Sequence, residues 1–409
     1  MCVRRSRIGW VAAGAMLAVA MTACGSSNGG TSSSPSSTGS QAKTPTGTPW
    51  VIGQIGSFTG PAASTLGEAA PGFEAWVKYT NDHGGIDNHP IKLVQLDDGA
   101  DPAKSTAAVK QLVEQDKVIA IVDYSLVDSA WADYVKDKGV PVIGAILFNK
   151  TFGTNPDFFP VGATFEGIQY GMLAEAAKAG AKTFGFFSVT NTAAAQETIA
   201  WYRENTTKLN LGFTSPPLIV TMDYVSPNYT AQCLEAKSQN IAAVYVGAPT
   251  TQTLKVYDDC KKQNYNFTHV GNLYQVNDTW LTTPSADGAI IASAVVPIAS
   301  TLPANQEFVK AMATYAPGVK YGGTAQMNWV AGQLFAAAAK AAKLGDSPTA
   351  AGVLDGLYAL KGETLGGLAP PLTFVKGKPT TIPCWFTYKV SNGSFVVPPG
   401  GDKAQCQPS

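Results

Sequence analysis

The side chains able to do chemistry in this 409-residue chain are hydroxyls and aromatic rings placed where apolar runs end. Val51–Gly56 runs into Ser57 and Phe58, Val118–Val122 into Tyr124 and Ser125, and Val140–Ala145 into Ile146, Leu147 and Phe148. Such groups grip a small molecule by stacking and hydrogen bonding, whereas bond cleavage needs a nucleophile activated by a neighbouring base. Only three histidines exist, His83, His89 and His269, and the first two flank a Gly-Gly turn where they read as solvated. Asp97 and Asp98 are adjacent in a strand pattern, so their side chains point to opposite faces and brace a turn rather than share a proton. The phosphate-cradling glycine motifs and the G-x-S-x-G elbow are missing. Zinc ligation lacks a C-x-x-C pair. The expectation is binding without catalysis: no catalytic residue, no metal and no cofactor.

The elements that must position these residues are legible in the first folded stretch, residues 50–115. The run Val51–Gly56 reads as a strand, and Phe73, Trp76, Val77 and Tyr79 follow at helical spacing. Gly84-Gly85 ends that helix, because glycine tolerates the left-handed geometry of a C-cap. Ile91–Leu96 reads as a second strand, and Asp101-Pro102 opens a second helix with an acceptor at the N-cap and proline at the first turn. Strand, helix, strand, helix is a βαβ unit, and parallel strands require such crossovers. The pattern restarts near residue 160: helix 165–179, strand 183–189, helix 193–208, then strands near 218–221, 241–246 and 269–271 with helices between. Trp385–Val390 reads as a late strand turning at Ser391-Asn392-Gly393. The length suits two domains.

The glycine and proline of Gly53 to Pro61, the Asn81…Gly84-Gly85-Ile86 turn and the Asp97-Asp98…Asp101-Pro102 segment fall in an order that resembles the opening of the leucine/isoleucine/valine-type solute-binding proteins. These are type I periplasmic binding proteins serving ABC importers, and the likeness runs on to about Pro379. The resemblance implies an α/β fold of two doubly wound, Rossmann-like lobes joined by a three-crossover hinge near residues 163, 297 and 377. It assigns residues 50–163 with 298–377 to lobe 1, and 164–297 with 378–409 to lobe 2. The carboxyl ends of both sheets would then face one cleft, where open α/β sheets bind ligands.

In that family, hydroxyls after strand three and a small-residue–threonine segment after strand four hold an amino acid's carboxylate and ammonium. Ser125 matches the first position, but Ile146 and Phe148 stand at the second, and Leu273 stands where an ammonium-binding glutamate is expected. An unpaired buried ammonium is too costly to tolerate. The expected ligand is therefore more apolar or aromatic, a weak acid or amide, contacted by Phe58, Tyr124, Ile146, Phe148 and Tyr274, with hydrogen bonds from Ser57, Ser125 and Asn191. The alternatives are a true branched-chain amino acid binder and a sensor or receptor component using the same fold. The implied partners are a small-molecule solute and a membrane ABC permease, and the chain is expected to be a monomer.

Composition agrees. Hydrophobic residues make up 45% and charged residues 14%, a globular balance. Without the first 23 residues, 26 basic side chains face 29 acidic ones, which argues against a nucleic-acid partner. Arg203 is then the one arginine left, so an anionic group on a ligand must rely on lysine, hydroxyls or backbone N–H groups.

Residues 1–23 read as a signal peptide: three arginines, then an apolar run from Ile8 to Ala20, too short to span a bilayer. Met21-Thr22-Ala23-Cys24 resembles a bacterial lipobox, which implies lipidation at Cys24 and an extracytoplasmic address on the cell membrane. Residues 24–49, rich in Gly, Ser, Thr and Pro, read as a flexible tether. Four cysteines remain and permit three pairings. We favour Cys233–Cys260, on successive helices flanking one strand, and Cys384–Cys406, stapling the tail, because exported chains form disulfides.

Overall fold

The computed structural model describes residues 44–60, 63–144 and 150–408. The leader, Cys24, the tether up to residue 43, and Ile146 and Phe148 lie outside the described residues. The chain opens with β1 (Trp50–Gly56), α1 (Ala63–Leu66), α2 (Ala69–Asp82), β2 (Ile91–Asp97), α3 (Pro102–Glu114), β3 (Ala120–Tyr124), α4 (Ala132–Lys138), β4 (Val142–Gly144), α5 (Thr151–Thr154) and β5 (Phe158–Pro160). It continues with α6 (Phe165–Lys178), β6 (Phe184–Ser188), α7 (Ala193–Asn205), β7 (Leu218–Thr221), α8 (Thr230–Ser238), β8 (Ala243–Gly247), α9 (Thr250–Lys262), β9 (Thr268–Asn272) and β10 (Ile290–Ser293). Then come α10 (Pro303–Tyr315), α11 (Gly323–Ala342), α12 (Ala350–Ala359), β11 (Lys361–Glu363), β12 (Leu372–Thr373), β13 (Cys384–Ser391), β14 (Ser394–Val396) and β15 (Gln405–Cys406).

Two sheets organise these elements. The first has the order β2-β1-β3-β4-β5, all parallel. The second repeats that winding as β7-β6-β8-β9-β10 and extends it with β13 and β14, antiparallel, at the β10 edge. In each, the strand order reverses beside the first strand, β1 or β6, and that reversal opens a crevice at the carboxyl end. The central strands are buried along their length because helices cover both faces. One apolar cluster, with Ile55, Leu112, Val135 and Trp131, fills one side of the first sheet. A second, around Val220, Val246, Tyr257 and Trp280, fills one side of the other, and a third runs through both lobes.

Helices α10 and α11 return to the first sheet, packing on α2, and α11 also reaches β3 and β4. The chain therefore passes between lobes three times: from β5 to α6, from β10 to α10, and from β12 to β13. The crossing segments lie side by side, since Ala163 N–H donates to Ala294 O (3.1 Å) and Thr164 N–H to Ile382 O (3.1 Å). A Cβ on Gly162 would stand 2.1 Å from Ala294 O, so a side chain there would pry the crossings apart.

Local signals largely behave as their chemistry dictates. Asp101 caps α3 by accepting from Ala103 N (2.8 Å) and Lys104 N (3.0 Å), with Pro102 in the first turn. The disulfides are Cys233–Cys260, joining α8 to α9, and Cys384–Cys406, joining β13 to β15. Two expectations need correction. His89 is buried, not solvated: its ring stacks on Trp50 at 4.8 Å and Nδ1 bonds Thr48 O at 2.9 Å. The end of the tether is held, because Gly47 N–H donates to Asn88 O (2.8 Å) and Thr46 pairs with the Asn88 side chain. Residues 361–373 carry the small β11–β12 ladder.

Candidate functional site

Strand register determines which side chains reach the seam between the lobes. β3 ends at Tyr124, two residues later than the apolar run suggests, so its phenol stands at the carboxyl end of the first sheet. β9 ends at Asn272, whose side chain accepts Tyr274 N–H (3.2 Å) and turns the chain into a short 3₁₀ segment. Tyr274 thereby meets Tyr124 from the opposite lobe, with ring centroids 5.9 Å apart. Both rings are almost fully buried. The Tyr124 hydroxyl finds no hydrogen-bond partner, although the side chains of Thr324 and Tyr274 lie beside it. Burial pushes that phenol's pKa well up.

Ser57 and Ser125 flank this pair, but their hydroxyls turn inward onto Asp98. Ser57 Oγ donates to Asp98 Oδ1 (2.7 Å), Ser105 Oγ donates to Oδ2 (2.8 Å), and Ser125 Oγ also donates to Oδ2. Ser57 Oγ in turn accepts Leu126 N–H (3.1 Å), and Ser125 Oγ accepts Val127 N–H (3.1 Å). One buried carboxylate thus ties together the loops after β1, β2 and β3. Asp97 points the other way, as the strand alternation requires, and accepts Phe58 N–H (2.9 Å), Thr59 N–H (3.2 Å) and Gly99 N–H (3.1 Å). Burial pushes the Asp97 carboxyl up, yet the Thr59 hydroxyl and these N–H groups outweigh it and hold the group below the usual range.

The remaining expected residues are spread out. Phe58 is half-buried with its ring over Gly56. Asn191 is exposed in the loop between β6 and α7, at the rim. The structure therefore brings Tyr124 and Tyr274 into contact, places Ser57 and Ser125 just behind, and leaves Asn191 outside.

Glu68, between α1 and α2, is the residue that sequence reading missed. Its carboxylate accepts the N–H of Gly322, and Asn277 and Asp278 of the opposite lobe face it. Burial pushes its pKa from 4.5 up to about 8; the Gly322 N–H and the Asn277 side chain oppose the shift, and Asp278 adds to it. The lobes meet so closely here because Gly322 and Gly323 carry no side chain: a Cβ would stand 2.1 Å from Val276 O and 2.7 Å from Leu273 Cβ, respectively. Two surface hollows, about 300 and 380 Å³, lie elsewhere, around Trp280 and Val390 and between α11 and Leu360. Among the described residues, no group of three His, Cys, Asp or Glu side chains is arranged to hold a metal ion.

Two parallel sheets of the same winding, with carboxyl ends converging on one aromatic seam and three strands of chain between them, define a two-lobed binding protein. The sequence profile described as "Periplasmic binding protein" matches residues 49–394, and the chain belongs to that family. A curated relative, an amino acid binding protein of Pseudomonas aeruginosa, is 39% identical over 74 residues, which span 18% of this chain and 20% of that relative. Among solved structures, a possible leucine/isoleucine/valine-binding protein from Rhodopirellula baltica superposes with a TM-score of 0.72 at 18% identity, covering 87% of this chain and 97% of the other. A branched-chain amino acid ABC transporter protein from Thermus thermophilus with bound valine gives 0.73 at 14% identity, with 86% and 96% covered. A solute-binding protein of an R. palustris ABC transporter, in complex with benzoate, gives 0.66 at 19% identity, with 85% and 94% covered. At such identities these likenesses establish the fold.

Proposed function

We propose that this chain captures a small, largely apolar or aromatic solute between its lobes and hands it unaltered to a membrane ABC permease. The observation that carries the reading is the Tyr124–Tyr274 pair: two rings from the carboxyl ends of opposing sheets, 5.9 Å apart across the seam. A flat guest entering between them exchanges ring–ring contact for contact on both faces, and the lobes close over it by hinge motion. Phe58 completes the lobe 1 wall in this proposal, with Asn191 at the rim. Ser57 and Ser125 hold the wall through Asp98 instead of touching the guest. Lobe 1 is taken as residues 50–163 with 298–377, and lobe 2 as 164–297 with 378–409.

Solved relatives of this fold hold valine in one case and benzoate in another, which supports a guest of that size without selecting between them. No helix among the described residues is long and apolar enough to cross a membrane. The leader and Cys24 support an extracytoplasmic, lipid-held monomer. A thermal-shift screen of the full chain against aromatic and aliphatic acids, their amides and branched-chain amino acids tests the reading, because ligand binding to the folded state raises the unfolding temperature. Stabilisation by an aromatic or apolar compound that disappears in Tyr274→Ala supports it. A library that leaves the midpoint unmoved sinks it.

A further inference from the structure

Polar groups at the seam share one property: among the described residues, none is paired with a cation. Glu68 takes part in none of the salt bridges found there. The charged or titratable groups facing it are Asp278 from lobe 2, Tyr124 from β3 and Tyr388 from β13. Lys320, two residues before Gly322, acts on Asp278. A half-buried carboxyl group held where two lobes meet, beside another acid and outside every salt bridge found, favours its protonated form. Its elevated pKa of about 8 agrees. A protonated carboxyl is a hydrogen-bond donor. Near it stands the Tyr124 hydroxyl, with the Thr324 and Tyr274 side chains beside that hydroxyl but no well-formed hydrogen bond to it, so that a guest's acceptor would relieve part of its desolvation cost.

We propose that Glu68 is the specificity-determining residue of the cleft: with the Tyr124 and Thr324 hydroxyls it forms a wall of O–H donors that selects a solute presenting an uncharged carbonyl, such as an amide on an aromatic body. This rests on the interlobe cleft being the ligand site. An ammonium would first have to strip the proton from Glu68, and a carboxylate would meet the like charge of Asp278, which Lys320 tempers. The wall also has a pH signature. As Glu68 ionises it stops donating, so affinity for a neutral amide falls with rising pH while affinity for an amine climbs.

Isothermal titration of the full chain with benzamide, benzoate and benzylamine, matched in size, at pH 6 and pH 9 tests this. The expected result is benzamide tightest at pH 6 by about tenfold, with a loss of about tenfold at pH 9, each step worth about 1.4 kcal/mol. Glu68→Gln, which keeps an uncharged donor, should retain the pH 6 affinity and abolish the loss at pH 9. Tyr124→Phe should weaken benzamide by about fivefold at both pH values with their ratio unchanged, since one hydrogen bond is worth about 1 kcal/mol. Benzylamine or benzoate tightest at pH 6, or a pH ratio untouched in Glu68→Gln, would overturn the assignment. Binding of L-valine with none of the three aromatic probes would overturn it too, leaving capture in the cleft standing. Failure of valine and all three probes would remove both.

Discussion

Tyr124 shows what a single hydroxyl contributes in each state of the molecule. Buried beside the Thr324 and Tyr274 side chains without a well-formed hydrogen bond, it costs the closed form at most about 1–3 kcal/mol. Tyr124→Phe should therefore leave the unliganded unfolding temperature unchanged or raised while lowering affinity for the solute, measured by thermal unfolding with and without ligand. His269 poses a different case. It is wedged against Tyr257 (4.0 Å) and Phe267 (4.3 Å), and burial, followed by the charge of Lys261, lowers its pKa from 6.5 to about 3. The unfolded chain binds this proton more tightly, so stability is lost as pH falls from about 6.5 towards 3. Denaturation at a series of pH values should show that slope in the wild type and a flatter one in His269→Gln. At this scale the sequence was only partly legible. Tyr124 was visible because it ends an apolar run, and the opposite directions of Asp97 and Asp98 followed from strand alternation. Glu68 was invisible, because its environment comes from Gly322 and Asn277, more than 200 residues away, and no local spacing reports that.

Among the elements, the start of α11 has the most direct bearing on closure. With Val276 O 2.1 Å from where a Cβ would stand on Gly322, Gly322→Ala must push lobe 2 off lobe 1. We expect solute affinity to fall by at least about tenfold, whereas Gly345→Ala, where nothing lies within 4 Å of an added Cβ, serves as the neutral control. The α8–α9 pair carries a second expectation. Its disulfide closes a loop of sequence separation 27, and loss of the bond in Cys233→Ser/Cys260→Ser should cost about 3.5 kcal/mol by loop entropy, read from chemical denaturation. The βαβ units were readable from hydrophobic periodicity and caps, since those signals act within a few residues. The return of α10 and α11 to lobe 1 was not, because an apolar helix face does not say which sheet it will cover; that came from family resemblance. His89 was misread for a related reason: polar and next to a Gly-Gly turn, it is buried only because Trp50 and Thr48 close over it.

For the whole molecule, two lobes joined by three adjacent crossings can rotate about one line, and the third apolar cluster extends through both. If the lobes open as proposed, the Tyr124–Tyr274 contact is exposed and Glu68 gains water. X-ray scattering of the full chain should show a smaller radius of gyration once the solute from the screen is added, and no change with it in Gly322→Ala. Superimposable curves for the wild type would reject closure as the mode of capture. That motion would link pH to shape: with the Glu68 pKa raised from 4.5 to about 8 in the closed form, closure is expected to weaken as pH rises through that window.

Just before β1, Gly47 is laced to Asn88 and His89 is clamped between Thr48 and Trp50, at the amino end of that strand and so at its far end from Tyr124. If the chain is anchored through the residues that precede this point, as proposed, any tug along them would be borne by lobe 1 at its base. Lobe 2 would then carry no load, and a protein moored in that way would keep its mouth unobstructed.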